Sequence, residues 1–167
     1  AMEAVRRLKR MVMFGAPGIG KTTFLKFVTR QMAAGKMENS FPVFLSLYTY
    51  AAESDGRDLL TFALENRFSM LYQGKELEAL GRLLRLWHRE GKLVFLLDGL
   101  DEVPAARRER LLRQIQSLPR FVLTSRPAGR VDANQEPDGT LDLLPLDDGG
   151  VARFVRKWEE WQTDRSS

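Results

Sequence analysis

An octapeptide near the start of the chain, Gly15-Ala16-Pro17-Gly18-Ile19-Gly20-Lys21-Thr22, matches the phosphate-loop pattern of two glycines, a lysine and a hydroxyl residue at fixed spacing. Protein solvates a phosphate chain poorly unless several donors converge on it. Such a loop must therefore turn successive backbone N–H groups inward and let the main chain come close. Gly15, Gly18 and Gly20 lack the Cβ atoms that would obstruct this approach. Lys21 offers a point charge to the terminal phosphates, the Thr22 hydroxyl is the expected Mg²⁺ ligand, and Thr23 adds a donor. The positive end of the helix that follows favours an anion. Ala16, Pro17 and Ile19 complete the cradle with their main chain.

Two further segments end in groups able to act on a bound phosphate. Lys92-Leu93-Val94-Phe95-Leu96-Leu97-Asp98-Gly99-Leu100-Asp101-Glu102 is an apolar strand that runs into carboxylates. Ligands in open α/β sheets sit beyond the carboxyl ends of the strands, so Asp98 should emerge beside the phosphate loop and hold Mg²⁺. Asp101 and Glu102 lie just beyond, where they could orient or deprotonate an attacking water. Phe121-Val122-Leu123-Thr124-Ser125-Arg126-Pro127 is a second apolar strand, and it delivers an arginine. Arg126 would be a directional donor that reports a γ-phosphate. A solvated turn at Asp98 and a surface arginine at the strand end are the plain alternatives.

The rest of the composition narrows the chemistry. The chain has no cysteine and one histidine in 167 residues, which excludes disulfide frameworks, thiolate metal sites and zinc sites with two or more histidines. The charge is +4, but it is unevenly spread. Seven arginines (107, 108, 110, 113, 120, 126 and 130) stand against the single acid Glu109 between Val103 and Arg130, followed by six acids and no base between Val131 and Gly150. These read mainly as solvated faces, with a polyanion-binding patch as the other reading. No segment has the length of a signal sequence core or a membrane span, so a cytoplasmic protein is expected. Ala1-Met2 has the look of a cloning remnant and carries no weight in the fold.

These groups need strands that end together and helices that cover the strands. Short apolar runs alternating with amphipathic ones predict a parallel sheet covered by helices. Strands are expected at Met11–Phe14, Phe41–Tyr50, Lys92–Leu97, Arg120–Ser125 and Thr140–Leu146. Helices are expected at Thr22–Met32, Leu59–Tyr72, Glu76–Glu90, from Pro104 to Pro119, and over Val151–Gln162. Leu77, Leu80, Leu83, Leu84 and Trp87 form the core face of the third of these. Val151, Phe154, Val155, Trp158 and Trp161 form one stripe on the last.

The loop GAPGIGKTT, the strand LLDGLDEVP and the strand end LTSRP, in this order and spacing, resemble the NACHT family of signal-transduction NTPases, especially its bacterial members. The specific part is the glycine after Asp98 with the paired acids three and four residues on. Most related ATPases place a glutamate directly after that aspartate. The resemblance runs from about Arg10 to Trp161. It implies an α/β P-loop NTPase, a three-layer α/β/α sandwich with a five-stranded parallel sheet in the order 5-1-4-3-2. It also implies binding of ATP and ADP with Mg²⁺, slow hydrolysis, and service as the switch that controls oligomerisation of a larger sensor. Lys21 and Thr22 match the family's phosphate-loop pair, Asp98 its magnesium ligand, Asp101 and Glu102 its hydrolytic acids, and Arg126 its first sensor. The implied division is a lead-in over 1–10, a core over 11–146 and a helix over 147–167 that begins a helical domain. Leu143-Leu144-Pro145-Leu146 resembles the last core strand.

The family continues into a winged-helix domain whose histidine contacts nucleotide. His88 does not match that residue and reads as a surface or packing residue. An isolated core should bind and turn over nucleotide weakly, with self-association or contact to other domains of its parent as the expected partnerships, and neither nucleic acid nor membrane. A small-molecule kinase and a non-hydrolysing nucleotide module stay open beside the ATPase. A GTPase is disfavoured because no Asn-Lys-x-Asp sequence occurs.

Overall fold

The computed structural model describes residues 2–7, 9–127, 137–145, 147–150, 152, 153 and 156. Five strands, β1 (Arg10–Phe14), β2 (Phe41–Ser46), β3 (Leu93–Asp98), β4 (Phe121–Ser125) and β5 (Gly139–Asp142), form one parallel sheet in the order β2-β3-β4-β1-β5. Read from its other edge, this is the expected 5-1-4-3-2. β3 is buried along its first five residues and β4 along its whole length, as strands covered on both faces must be.

Alternate residues of each strand feed two separate cores. On one face Val43, Leu45, Leu93, Phe95, Leu97, Phe121 and Leu123 pack under α3 (Leu47–Glu53), α4 (Leu59–Ala63), α5 (Gly74–Arg89) and α6 (Ala105–Gln116). On the other, Met11, Met13, Val94, Leu96 and Val122 pack under α1 (Met2–Arg7) and α2 (Lys21–Ala33). The result is three layers, with the phosphate-loop helix on one side and the helices that flank the acidic strand on the other.

Several boundaries differ from expectation. The second strand stops at Ser46 instead of running to Tyr50. There the Ser46 hydroxyl accepts from the Thr49 N–H, and α3 begins with Leu47, Tyr50 and Ala51 buried at helical spacing. The aromatic and β-branched content of the segment favours a strand, but the burial pattern overrides it. The expected helix Leu59–Tyr72 is a short α4 capped by Asp58, followed by one turn of π-helix over Leu64–Phe68. Leu83 on α5 is 38% exposed, outside the buried face that contains Leu84.

The last strand is Gly139–Asp142, so Leu143-Leu144-Pro145 lies beyond it and Leu146 lies outside the described residues. The Leu143 N–H still reaches the Phe14 carbonyl, but Pro145 has no N–H with which to continue a ladder. The chain is helical at 148–150. The tryptophan stripe of the expected terminal helix falls outside the described residues.

The outer edge of β2 carries a proline. Its ladder to β3 opens with the Phe41 N–H donating to the Lys92 carbonyl, which turns residue 42 outward. Pro42 in that outward position has no N–H to offer a further strand.

Candidate functional site

The carboxyl ends of β1, β3 and β4 share one end of the sheet, and a cleft of ≈ 270 Å³ opens there. Its walls carry Pro17, Gly18, Gly20, Lys21, Thr22, Thr23, Asp98, Gly99, Asp101, Glu102 and Arg126. All three chemistry-bearing segments thus meet in one place, although they are far apart in sequence.

The loop side is built by main chain. Gly18 and Gly20 have φ of +73° and +99°, and a Cβ at either would meet nothing within 4 Å. Their glycine identity therefore answers the backbone conformation and leaves an open cradle. Gly15 answers a different need, because a Cβ there would lie 2.7 Å from Ile19 Cγ2. Gly20 caps α2 without a side chain, so the first-turn amides of Lys21, Thr22 and Thr23 have no acceptor one turn earlier. Lys21 Nζ donates to the loop's own carbonyls at Gly15 (2.7 Å) and Ala16 (2.9 Å).

The acidic side is built by side chains. Asp98 accepts from the Thr22 hydroxyl at Oδ2 (2.6 Å) and from the Thr124 hydroxyl at Oδ1 (2.7 Å). Thr124 is fully buried and accepts in turn from the Gly99 N–H (2.9 Å). Gly99, at φ +81°, swings the chain into a single 3₁₀ turn over Leu100–Glu102. Asp101 sits in that turn with its side chain 14% exposed, and it receives Arg126 twice. The Arg126 N–H donates to Oδ1 (3.0 Å) and its Nε to Oδ2 (2.8 Å). Glu102 is exposed beside the cleft.

The chain matches the model of the NACHT domain over residues 9–162. The chain belongs to the NACHT family. No curated protein matches it. Among solved structures, this NACHT domain is similar to the ORC1 protein of Aeropyrum pernix in complex with DNA, at 19% identity and a TM-score of 0.54, over 91% of this chain and 44% of that one. It is also similar to the Aeropyrum pernix ORC2 protein in ADPNP-ADP complexes, at 18% identity and TM-score 0.54, over 95% and 50%. A STAND protein with a tetratricopeptide repeat sensor from Pyrococcus horikoshii matches at 16% identity and TM-score 0.46, over 95% and 24%. The chain spans half or less of each of these structures. The first two likenesses carry the fold, that of a P-loop NTPase.

The open cradle of Gly18 and Gly20 and the oxygen ligands Thr22 and Asp98 fit a nucleotide with a hard divalent cation. Among the described residues there is no group of three or more His, Cys, Asp or Glu that could hold a metal. Also among them, no helix is long and apolar enough to cross a membrane.

Arg107, Arg110, Arg113 and Arg126 of the arginine cluster are exposed, as a solvated face requires, while Arg108 and Arg120 are half-buried. Arg107 donates to the Ala51 carbonyl, Arg110 to Gly56, Arg120 to Asn39, and Arg108 to Val103 and Asp101, while Arg113 pairs with Glu109. These cations cap main-chain carbonyls and a neighbouring acid; Arg130 lies outside the described residues. A second cavity of ≈ 330 Å³ between α3 and α6 is lined by Arg107 and Arg110, each of which turns one donor to these carbonyls. His88 packs edge-on against Phe95. Sequence reasoning missed Thr124 and Arg108.

Proposed function

We propose that this NACHT domain is a Mg²⁺-dependent ATP-binding module that hydrolyses ATP slowly and serves as the nucleotide switch of a longer signalling protein. The observation that carries the reading is the convergence of the phosphate loop, Asp98, Asp101, Glu102 and Arg126 on one cleft. The loop amides and Lys21 would bind the phosphates, and Lys21 would leave its carbonyl partners Gly15 and Ala16 to do so. Thr22 and Asp98 would hold Mg²⁺, which supplies charge neutralisation at the β- and γ-phosphates.

Asp101 is assigned to orient the attacking water for in-line displacement at the γ-phosphate. Because its carboxylate is joined to Arg126 at both oxygens, the water-orienting acid and the γ-phosphate sensor move together. Glu102, adjacent and exposed, is the alternative for the same task. Further domains of the parent protein, or other copies of it, are the partners assigned to the switch.

Measured ATP turnover of the chain, of Asp101→Asn and of Glu102→Gln tests the assignment. Loss of turnover only in Glu102→Gln transfers the role to Glu102. Turnover that depends on an added nucleoside or sugar acceptor instead points to a kinase, and tight binding without turnover to a nucleotide-binding module.

A further inference from the structure

The 3₁₀ turn that carries Asp101 and Glu102 satisfies only part of its own main chain. The Gly99 carbonyl accepts from the Glu102 N–H and the Leu100 carbonyl from the Val103 N–H. The carbonyls of Asp101 and Val103 meet a side-chain donor instead. Arg108 fills this gap from the second turn of α6. Its Nη2 donates to the Val103 carbonyl (2.9 Å) and also approaches the Asp101 carbonyl (3.4 Å). Its Nε is buried beside them without a partner.

Asp101 is therefore gripped at two ends by two arginines of different elements. Arg126 takes its carboxylate and Arg108 its carbonyl. The neighbours of Arg108 on the same helix do comparable work elsewhere, with Arg107 on the end of α3 at Ala51 and Arg110 on the turn at Gly56. Among the arginines of α6, Arg108 is the one that reaches the acidic turn. Both contacts run from the one nitrogen Nη2, whose direction is fixed by the plane of the guanidinium.

We propose that Arg108 is a positioning residue for hydrolysis, and that it sets the angle of the acidic turn and so the placement of Asp101 and Glu102 against the γ-phosphate. This rests on the ATPase reading above. Its effect falls on the chemical step, because the loop amides and Lys21 assigned to the phosphates lie on the opposite wall of the cleft. Loss of the brace lets the turn shift by a fraction of an ångström to an ångström, and displacements of that size lower turnover by roughly ten- to a hundredfold.

The test uses the full chain and its Arg108→Ala, Arg108→Lys and Arg110→Ala variants, with ATP turnover and amide hydrogen exchange measured on each. Arg108→Ala should lower kcat about tenfold or more with the KM for ATP within about twofold of the parent. Arg108→Lys should recover part of the loss, and Arg110→Ala should match the parent. Exchange at the Glu102 and Val103 amides should accelerate in Arg108→Ala while β3 and β4 keep their protection. Parental kcat in Arg108→Ala, a KM that rises in step with the loss, or an equal loss in Arg110→Ala overturns the proposal. Unchanged exchange at the turn does so too. A parent chain with no turnover defeats the ATPase reading and with it the catalytic role, and exchange then separately decides whether Arg108 braces the turn.

Discussion

The two walls of the nucleotide cleft are held in place by different means. The phosphate loop takes its shape from its own consecutive residues: Gly18 and Gly20 at positive φ, a glycine cap on α2, and Gly15 pressed against Ile19. The acidic wall takes its shape from residues that are remote in the chain. Thr124 reaches Asp98 and Gly99 across 26 and 25 positions, and Arg126 reaches Asp101 across 25. A local motif survives as long as its own segment is intact, whereas a braced one depends on the packing of β3 against β4. Binding should accordingly map to the first wall and chemistry, with its regulation, to the second.

The sharpest way to break this contrast is Lys21→Ala. ATP affinity should fall on the order of a hundredfold, or about 3 kcal/mol, with the melting temperature of the free chain nearly unchanged. Calorimetric titration that finds parental affinity would dissolve the contrast. On the other wall, Asp101→Asn should cut turnover by about a hundredfold while the Kd for ATP stays within about twofold. Equal losses in both quantities would mean that the two walls are one unit.

Thr124→Val keeps the shape of a fully buried side chain but strips the partners from Asp98 Oδ1 and the Gly99 N–H. It should cost about 1–3 kcal/mol in denaturant unfolding, and a neutral result would show that the acidic wall is not held from β4.

The smallest effect belongs to a region outside both walls. Asp58 caps α4. Burial raises its pKa, but the Thr61 hydroxyl and the N–H groups of Thr61 and Leu60 outweigh this and hold it below the ordinary carboxylate value. Because the folded-state pKa is the lower one, the stabilisation is complete above the unfolded carboxylate range near about pH 4 and fades as pH drops through the folded value. Asp58→Ala should cost about 1 kcal/mol at neutral pH, and the gap to the parent should close on acidification below about pH 4. A gap that is constant with pH would assign the loss to packing.

What could be read from the sequence follows the same division. The phosphate loop was legible because eight adjacent residues encode it, and Asp98 and Arg126 were legible because apolar strands deliver them to a common end of a parallel sheet. The sheet order came through the family resemblance. Thr124 and Arg108 were not legible, since a threonine within a strand and an arginine on a helix acquire their meaning only from the carbonyls and carboxylates that folding brings beside them. The capping done by the arginine cluster is hidden for the same reason: nothing in its spacing reveals that the carbonyls of Ala51, Gly56 and Val103 accept from it. The boundary at Ser46 was hidden by a segment whose β-favouring side chains pack, in the folded chain, at helical intervals.

The outward-facing Pro42 has a bearing on how such domains can gather. A parallel sheet with an open border invites the same border of another copy to zip onto it, a route to aggregation that natural proteins blunt with residues such as proline. The tertiary amide at the second position of β2 withholds one of the donors that such a pairing would use.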